Sequence, residues 1–169
     1  MCGDRLSVAF KRKGFMAAGL MVALAIPGVA QAATGNSSMP VSATVQATCS
    51  ITASPLAFGT YSSTQLDAAT TLAVNCTNTT GYNVGLDAGS GTGATVAQRK
   101  MANGAQTLNY TVYSDTGRAT VWGATVGTNT VTGTGSGSVQ TLNVYGRIPA
   151  GQAPTPGSYT DTLTATITY

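Results

Sequence analysis

The chain has 169 residues, 43% of them hydrophobic, with 8 Lys and Arg against 5 acids, all Asp, and with no His and no Glu. Without His or Glu, the groups that most often carry acid-base catalysis at neutral pH are missing, and a Ser-His-Asp triad is impossible. The formal charge of +3 comes from the N-terminal region, so the rest of the chain presents no basic footprint for nucleic acid or anionic lipid.

Arg5, Lys11, Arg12 and Lys13 precede an apolar run from Gly14 to Val29, which ends in Ala30-Gln31-Ala32. That order of basic region, apolar region and A-x-A site predicts a secretory signal peptide over 1–32, cleaved between Ala32 and Ala33. Pro27 interrupts the run, and it falls short of the ~20 apolar residues that a membrane-spanning helix requires. Past Ala32, Arg99, Lys100, Arg118 and Arg147 are matched by Asp67, Asp87, Asp115 and Asp161, and the exported chain is neutral. Its length fits one domain.

Residues 33–38 are polar and patternless, a predicted tail. Alternation begins at Met39: Met39, Val41, Ala43, Val45, Ala47, Cys49, Ile51 and Ala53 share one parity, with Pro40 and polar residues between. A period of two predicts a half-buried strand. The pattern exceeds the usual 3 to about 10 residues, and two successive segments divided near Cys49, or one long bent strand, both fit it.

Strands are predicted over LAFGTY (56–61), TLAVNCT (71–77), GYNVGLDAG (81–89) and LNYTVYSD (108–115), with short pieces at ATVWG and TNTVTG around Trp122. GSVQTLNVYGRIP supplies another before the turn AGQAPTPG. The stretch 90–105, which contains Arg99, Lys100 and Met101, reads as a loop, and Trp122 reads as core. From Tyr159 the even positions are all threonine, while Tyr159, Asp161, Leu163, Ala165, Ile167 and Tyr169 hold the odd ones, predicting a last strand over 159–169. Short strands separated by Gly, Ser, Thr and Asn turns indicate an all-β antiparallel sandwich.

Cys49 and Cys76 both fall on inward parities, and export to an oxidising compartment makes them one disulfide. A zinc site lacks the further Cys or His that it would need. The glycine runs 89–93 and 133–138 have neither a following helix nor a P-loop lysine, and they read as strand connections. No cofactor and no enzymatic activity are expected.

LNYTVYSDTGRATVWG, VYGRIPAGQ and PGSYTDTLTATITY, in that order after a cysteine that follows an alternating strand, resemble the spore-coat-protein-U-like family, which includes subunits of archaic, Csu-type chaperone-usher pili. The resemblance implies an immunoglobulin-like sandwich over 49–169 that lacks its last strand, preceded by a tail and donor strand over 33–48. It implies that Met39, Val41, Ala43, Val45 and Ala47 are donated to a neighbouring subunit. Tyr159, Leu163, Ala165, Ile167 and Tyr169 would form the groove edge that a periplasmic chaperone fills first. The implied partners are that chaperone, an outer-membrane usher and further copies joined head-to-tail, in fibres that serve adhesion and biofilm formation. A tip adhesin and a secreted coat or matrix protein of the same fold are the alternatives.

Overall fold

The computed structural model describes residues 30–169, so most of the predicted signal peptide lies outside the described residues. The chain divides into two compact units, Met1–Ser42 and Ala43–Tyr169. Residues 30–42 have no regular secondary structure and are exposed throughout. In the second unit, 43–48 are likewise strand-free and exposed.

The second unit is built from eight strands: β1 (Cys49–Ala53), β2 (Leu66–Cys76), β3 (Gly81–Leu86), β4 (Arg99–Asn103), β5 (Gln106–Tyr113), β6 (Val131–Thr134), β7 (Val139–Ile148) and β8 (Ala165–Thr168). They form a five-stranded sheet in the order β1-β2-β7-β5-β4 and a three-stranded sheet in the order β6-β3-β8. All named pairings are antiparallel. The architecture is the expected immunoglobulin-like sandwich.

The inward parity of each long strand supplies the core: Leu72, Val74 and Cys76 from β2, Tyr82, Val84 and Leu86 from β3, Leu108, Tyr110 and Val112 from β5, and Val144 and Ile148 from β7. Period-two patterning places these rows on one face because successive side chains alternate across the pleat. Trp122 is buried as expected, and its indole N–H donates to the Val84 carbonyl at 2.8 Å. A buried indole without such a partner would carry an unsatisfied donor. Cys49 and Cys76 are bonded and sit opposite each other across β1 and β2.

Four expectations are corrected. The predicted loop around Arg99 and Lys100 is strand β4, and Arg99 is fully buried. Its guanidinium donates to the carbonyls of Asp87 (2.8 Å), Val96 (2.9 Å), Leu86 (3.1 Å) and Trp122 (2.7 Å), so neighbouring backbone supplies the solvation that water would otherwise give. LAFGTY forms no strand, although Leu56 and Phe58 do turn onto the core. Of ATVWG only Val121 pairs, in an isolated bridge to Tyr113. The continuous last strand is confined to Ala165–Thr168, with an isolated bridge from Thr160 to Ala102 upstream of it. That interval is irregular because the segment passes from β4 in one sheet to β3 in the other.

Candidate functional site

The sandwich is open along one side, between the segment 53–61 that follows β1 and the segment 154–167 that leads into β8. The cavity between them is about 440 Å³, floored by Leu72, Leu86, Met101, Tyr110 and Val144 and walled by Leu56, Phe58, Tyr159, Leu163 and Ala165. It continues into a depression of about 790 Å³ that shares Leu56, Phe58, Met101 and Tyr159 and reaches Leu108, Ile148 and Pro154. A broader hollow of about 800 Å³ lies at the disulfide end, lined by residues such as Thr48, Asn75, Thr77 and Thr80.

Hydrogen bonding distinguishes the groove from an ordinary apolar cleft. Thr160 exchanges both backbone bonds with Ala102, at 2.8 and 3.1 Å. Further along, the Asp87 N–H donates to the Thr164 carbonyl at 3.2 Å, and Asp87 Oδ1 accepts from the Thr164 N–H at 2.9 Å. In an antiparallel ladder, residues bonded to one neighbour alternate with residues whose N–H and C=O point the other way. Tyr159, Asp161, Leu163, Ala165 and Ile167 therefore turn their backbone groups toward the groove, and on that side no strand among the described residues meets them. The facing segment 55–60 has no backbone partner among the described residues either. Buried or half-buried backbone groups are almost always paired in a finished structure. Two such rows face one apolar trough.

Local chemistry fixes the lip formed by 159–167. Asp161 Oδ2 accepts from the Tyr110 hydroxyl at 2.8 Å, and Oδ1 accepts from the Ser90 amide and hydroxyl at 2.8 and 2.7 Å. Burial, reinforced by the Asp161 carboxylate, pushes the Tyr110 hydroxyl well above its ordinary value and keeps it a donor. Burial pushes Asp87 up, but its bonds from Thr164 and Gly89 outweigh this and hold it below the usual carboxylate range. The hydrogen bonds of the two side chains tie the lip to the 87–90 loop.

The structure brings together Tyr159, Leu163 and Ala165 on the groove wall. Ile167 pairs with Val84 and packs on the core, whereas Tyr169 is 59% exposed. Met39, Val41 and Val45 are 84%, 87% and 88% exposed, and Ala43 and Ala47 are exposed as well. Ala32 and Ala33 lie in the exposed stretch ahead of them. Leu56, Phe58 and Met101 also belong to the groove, and the inward parity of LAFGTY was the signal for the first two.

Fold and groove together define an all-β, immunoglobulin-like sandwich with one side unfinished. The chain belongs to the family of the Spore Coat Protein U domain, whose model matches residues 35–166. It is 35% identical over 158 residues to "Protein U" of Myxococcus xanthus, covering 83% of this chain and 88% of that protein. Its fold is also that of a chain in the crystal structure of the CsuC-CsuE chaperone-tip adhesion subunit pre-assembly complex from archaic chaperone-usher Csu pili of Acinetobacter baumannii. That match has a TM-score of 0.55 and 23% identity, and it covers 75% of this chain but only 40% of the solved one.

Proposed function

We propose that this protein is a structural subunit of a chaperone-usher pilus, exported to the periplasm and polymerised at the cell surface into fibres for adhesion and biofilm formation. The observation that carries this is the pairing of two unfinished parts in one chain. One is a groove whose lips present unpaired backbone, and the other is an exposed segment, Met39–Ala47, with alternating apolar side chains and no strand of its own.

β-strand addition unites them. Main-chain bonds along both lips supply affinity, and alternate side chains in the trough supply register. Burying Met39, Val41 and Val45 contributes roughly 5 to 9 kcal/mol before ordering costs, at about 1.5 to 3 kcal/mol each. Pro40 has no N–H for the ladder, which suits it to the start of the paired stretch. Cα atoms of β1 and β8 come within 8 Å, less than the roughly 9.5 Å of two strand spacings. The edges must part when a strand enters.

A donor on one copy and a groove on the next make a head-to-tail contact that does not close, which generates a filament. Until it is filled, the open edge is an aggregation hazard. A periplasmic chaperone that occupies it, and an outer-membrane usher at which a neighbouring copy replaces the chaperone, meet that need. The likeness to Protein U over most of its length favours, as a second reading, a secreted coat protein that uses the same fold.

The test is electron microscopy of cells that express the chain with its chaperone and usher. Wild-type cells are expected to carry surface fibres labelled by antibody to the chain. Ile167→Asp puts an unpaired charge at the groove edge, and it is expected to remove both the fibres and the periplasmic subunit. Normal fibres from Ile167→Asp would overturn the groove assignment, and labelled surface material without fibres would favour the coat protein.

A further inference from the structure

The inward row of the groove lip, Tyr159, Asp161, Leu163, Ala165 and Ile167, is apolar at every place but one. Asp161 is held there on purpose-fitted neighbours. Its carboxylate accepts from the Tyr110 hydroxyl, the Ser90 amide and hydroxyl, and the Thr162 amide at 2.7 Å. Gly89 lies so close that a Cβ there would overlap the carboxylate. Three of these donors reach Oδ1 and one reaches Oδ2, which leaves Oδ2 with an acceptor site to spare. The group excludes apolar bulk, because a large alkyl side chain pressed on it would take water from that remaining site and return no hydrogen bond.

We propose that Asp161 sets the register in which the Met39–Ala47 segment of a second copy enters the groove, by admitting only the small side chain of Ala43 across from it. The inference rests on the strand-addition reading given above. Every named pairing in the sandwich is antiparallel, and an antiparallel ladder is slightly the more stable per residue. Antiparallel entry with Ala43 facing Asp161 sets Met39 opposite Ala165, Val41 opposite Leu163 and Val45 opposite Tyr159. The longest donor side chain then meets the smallest residue of the lip.

Neighbouring registers fit worse. Moving the donor by one repeat in one direction sets Val45 on the carboxylate. Moving it by one repeat in the other direction sets Val41 there, and a second repeat past Val45 sets Ala47 there and leaves Ala43 against Ala165, two small side chains with a void between them. That last register also leaves only Thr48 between the donated strand and Cys49, which is bonded into β1 and β2 of its own subunit. One residue spans at most about 3.6 Å, too little to pass between subunits.

Cysteine pairs in the full-length chain, assembled on cells, read the register while keeping Asp161. Val41→Cys with Leu163→Cys places opposed Cβ atoms within disulfide reach. It is expected to give a ladder of covalent oligomers on a non-reducing gel that collapses on reduction. Val41→Cys with Ala165→Cys, and Val41→Cys with Ile167→Cys, report the registers that set Val45 and Ala47 on Asp161, and both are expected to stay monomeric on the gel. A ladder from either shifted pair, fibres without a ladder from any pair, or a cross-linked monomer made by the chain's own tail would overturn the proposal.

The exclusion itself is tested on the donor. Ala43→Leu, in an exposed strand-free segment, is expected to cut fibre yield at least tenfold. Asp161→Ala in the Ala43→Leu chain is expected to restore fibres. Full assembly by Ala43→Leu alone would overturn the role given to Asp161. Absence of fibres from the wild-type chain would instead count against strand addition as a whole.

Discussion

Phe58 lies with its ring against the backbone of Gly146: a Cβ on that glycine would stand 2.6 Å from the ring tip and 2.9 Å from a Leu56 methyl. The ring also meets Tyr110 edge-on, with centroids 5.8 Å apart. Residues 55–60 have no strand partner among the described residues, so this packing of Leu56 and Phe58 on β7 seats the middle of the groove's first lip.

Gly146→Val therefore lifts the lip off the sheet. With Tyr110 behind it the ring cannot yield freely, and overpacking of this kind costs about 1 to 3 kcal/mol. Urea unfolding of the variant is expected to show a lower midpoint, with chaperone capture weakened in parallel. An unchanged midpoint would mean that the segment is not seated on Gly146.

Arg99→Met removes a buried guanidinium and strands four carbonyls, those of Leu86, Asp87, Val96 and Trp122. An unsatisfied buried acceptor costs about 1 to 3 kcal/mol, so a loss of at least about 3 kcal/mol is expected. Arg99→Lys is expected to recover less than half of it, since an ammonium lacks the planar fork. A loss below about 0.5 kcal/mol, as for an exposed loop residue, would contradict the burial.

Acid should loosen the second lip. Asp87 is held below its ordinary value despite burial, chiefly by its bonds from Thr164 and Gly89, and Asp67 is held down chiefly by its bond from Arg147. A carboxylate whose folded value is depressed contributes stability that is present above its ordinary value, near 3.9, and is lost as pH falls through the folded one. Urea midpoints are expected to hold from pH 7 to about 5 and to fall below about 4. Asp87→Asn should make that fall shallower, and an identical pH profile would remove Asp87 from the lip.

Side-chain faces were legible in the sequence and strand partners were not. Alternation located β2, β3, β5 and β7, the inward rows of Leu72 and Val112, and the meeting of Cys49 with Cys76, because burial on one face imposes a period of two. The same period in LAFGTY and in 159–164 marks inward side chains, but LAFGTY has no strand partner among the described residues and 159–164 crosses from one sheet to the other, so neither segment is a regular strand. Arg99 misled for another reason. A charged pair beside glycines carries a loop's composition, and only the fold shows that four backbone carbonyls converge on that guanidinium. Asp161, also charged, was placed in the inward row by parity alone, but its bonds to Tyr110 and Ser90 come from distant strands and loops.

Deleting Thr34–Ala47 separates a donated segment from an ordinary first strand. The shortened chain, co-expressed with the chaperone, is expected to form a soluble complex that keeps the Cys49–Cys76 bond, because no residue of 34–47 belongs to the core. Mixed with intact subunit during assembly, it can accept a strand but cannot donate one, so mean fibre length by electron microscopy should shorten in proportion to the fraction added. An insoluble shortened chain that no chaperone holds, or fibres of unchanged length at every mixing ratio, would contradict the assignment of Met39–Ala47 to a neighbouring copy.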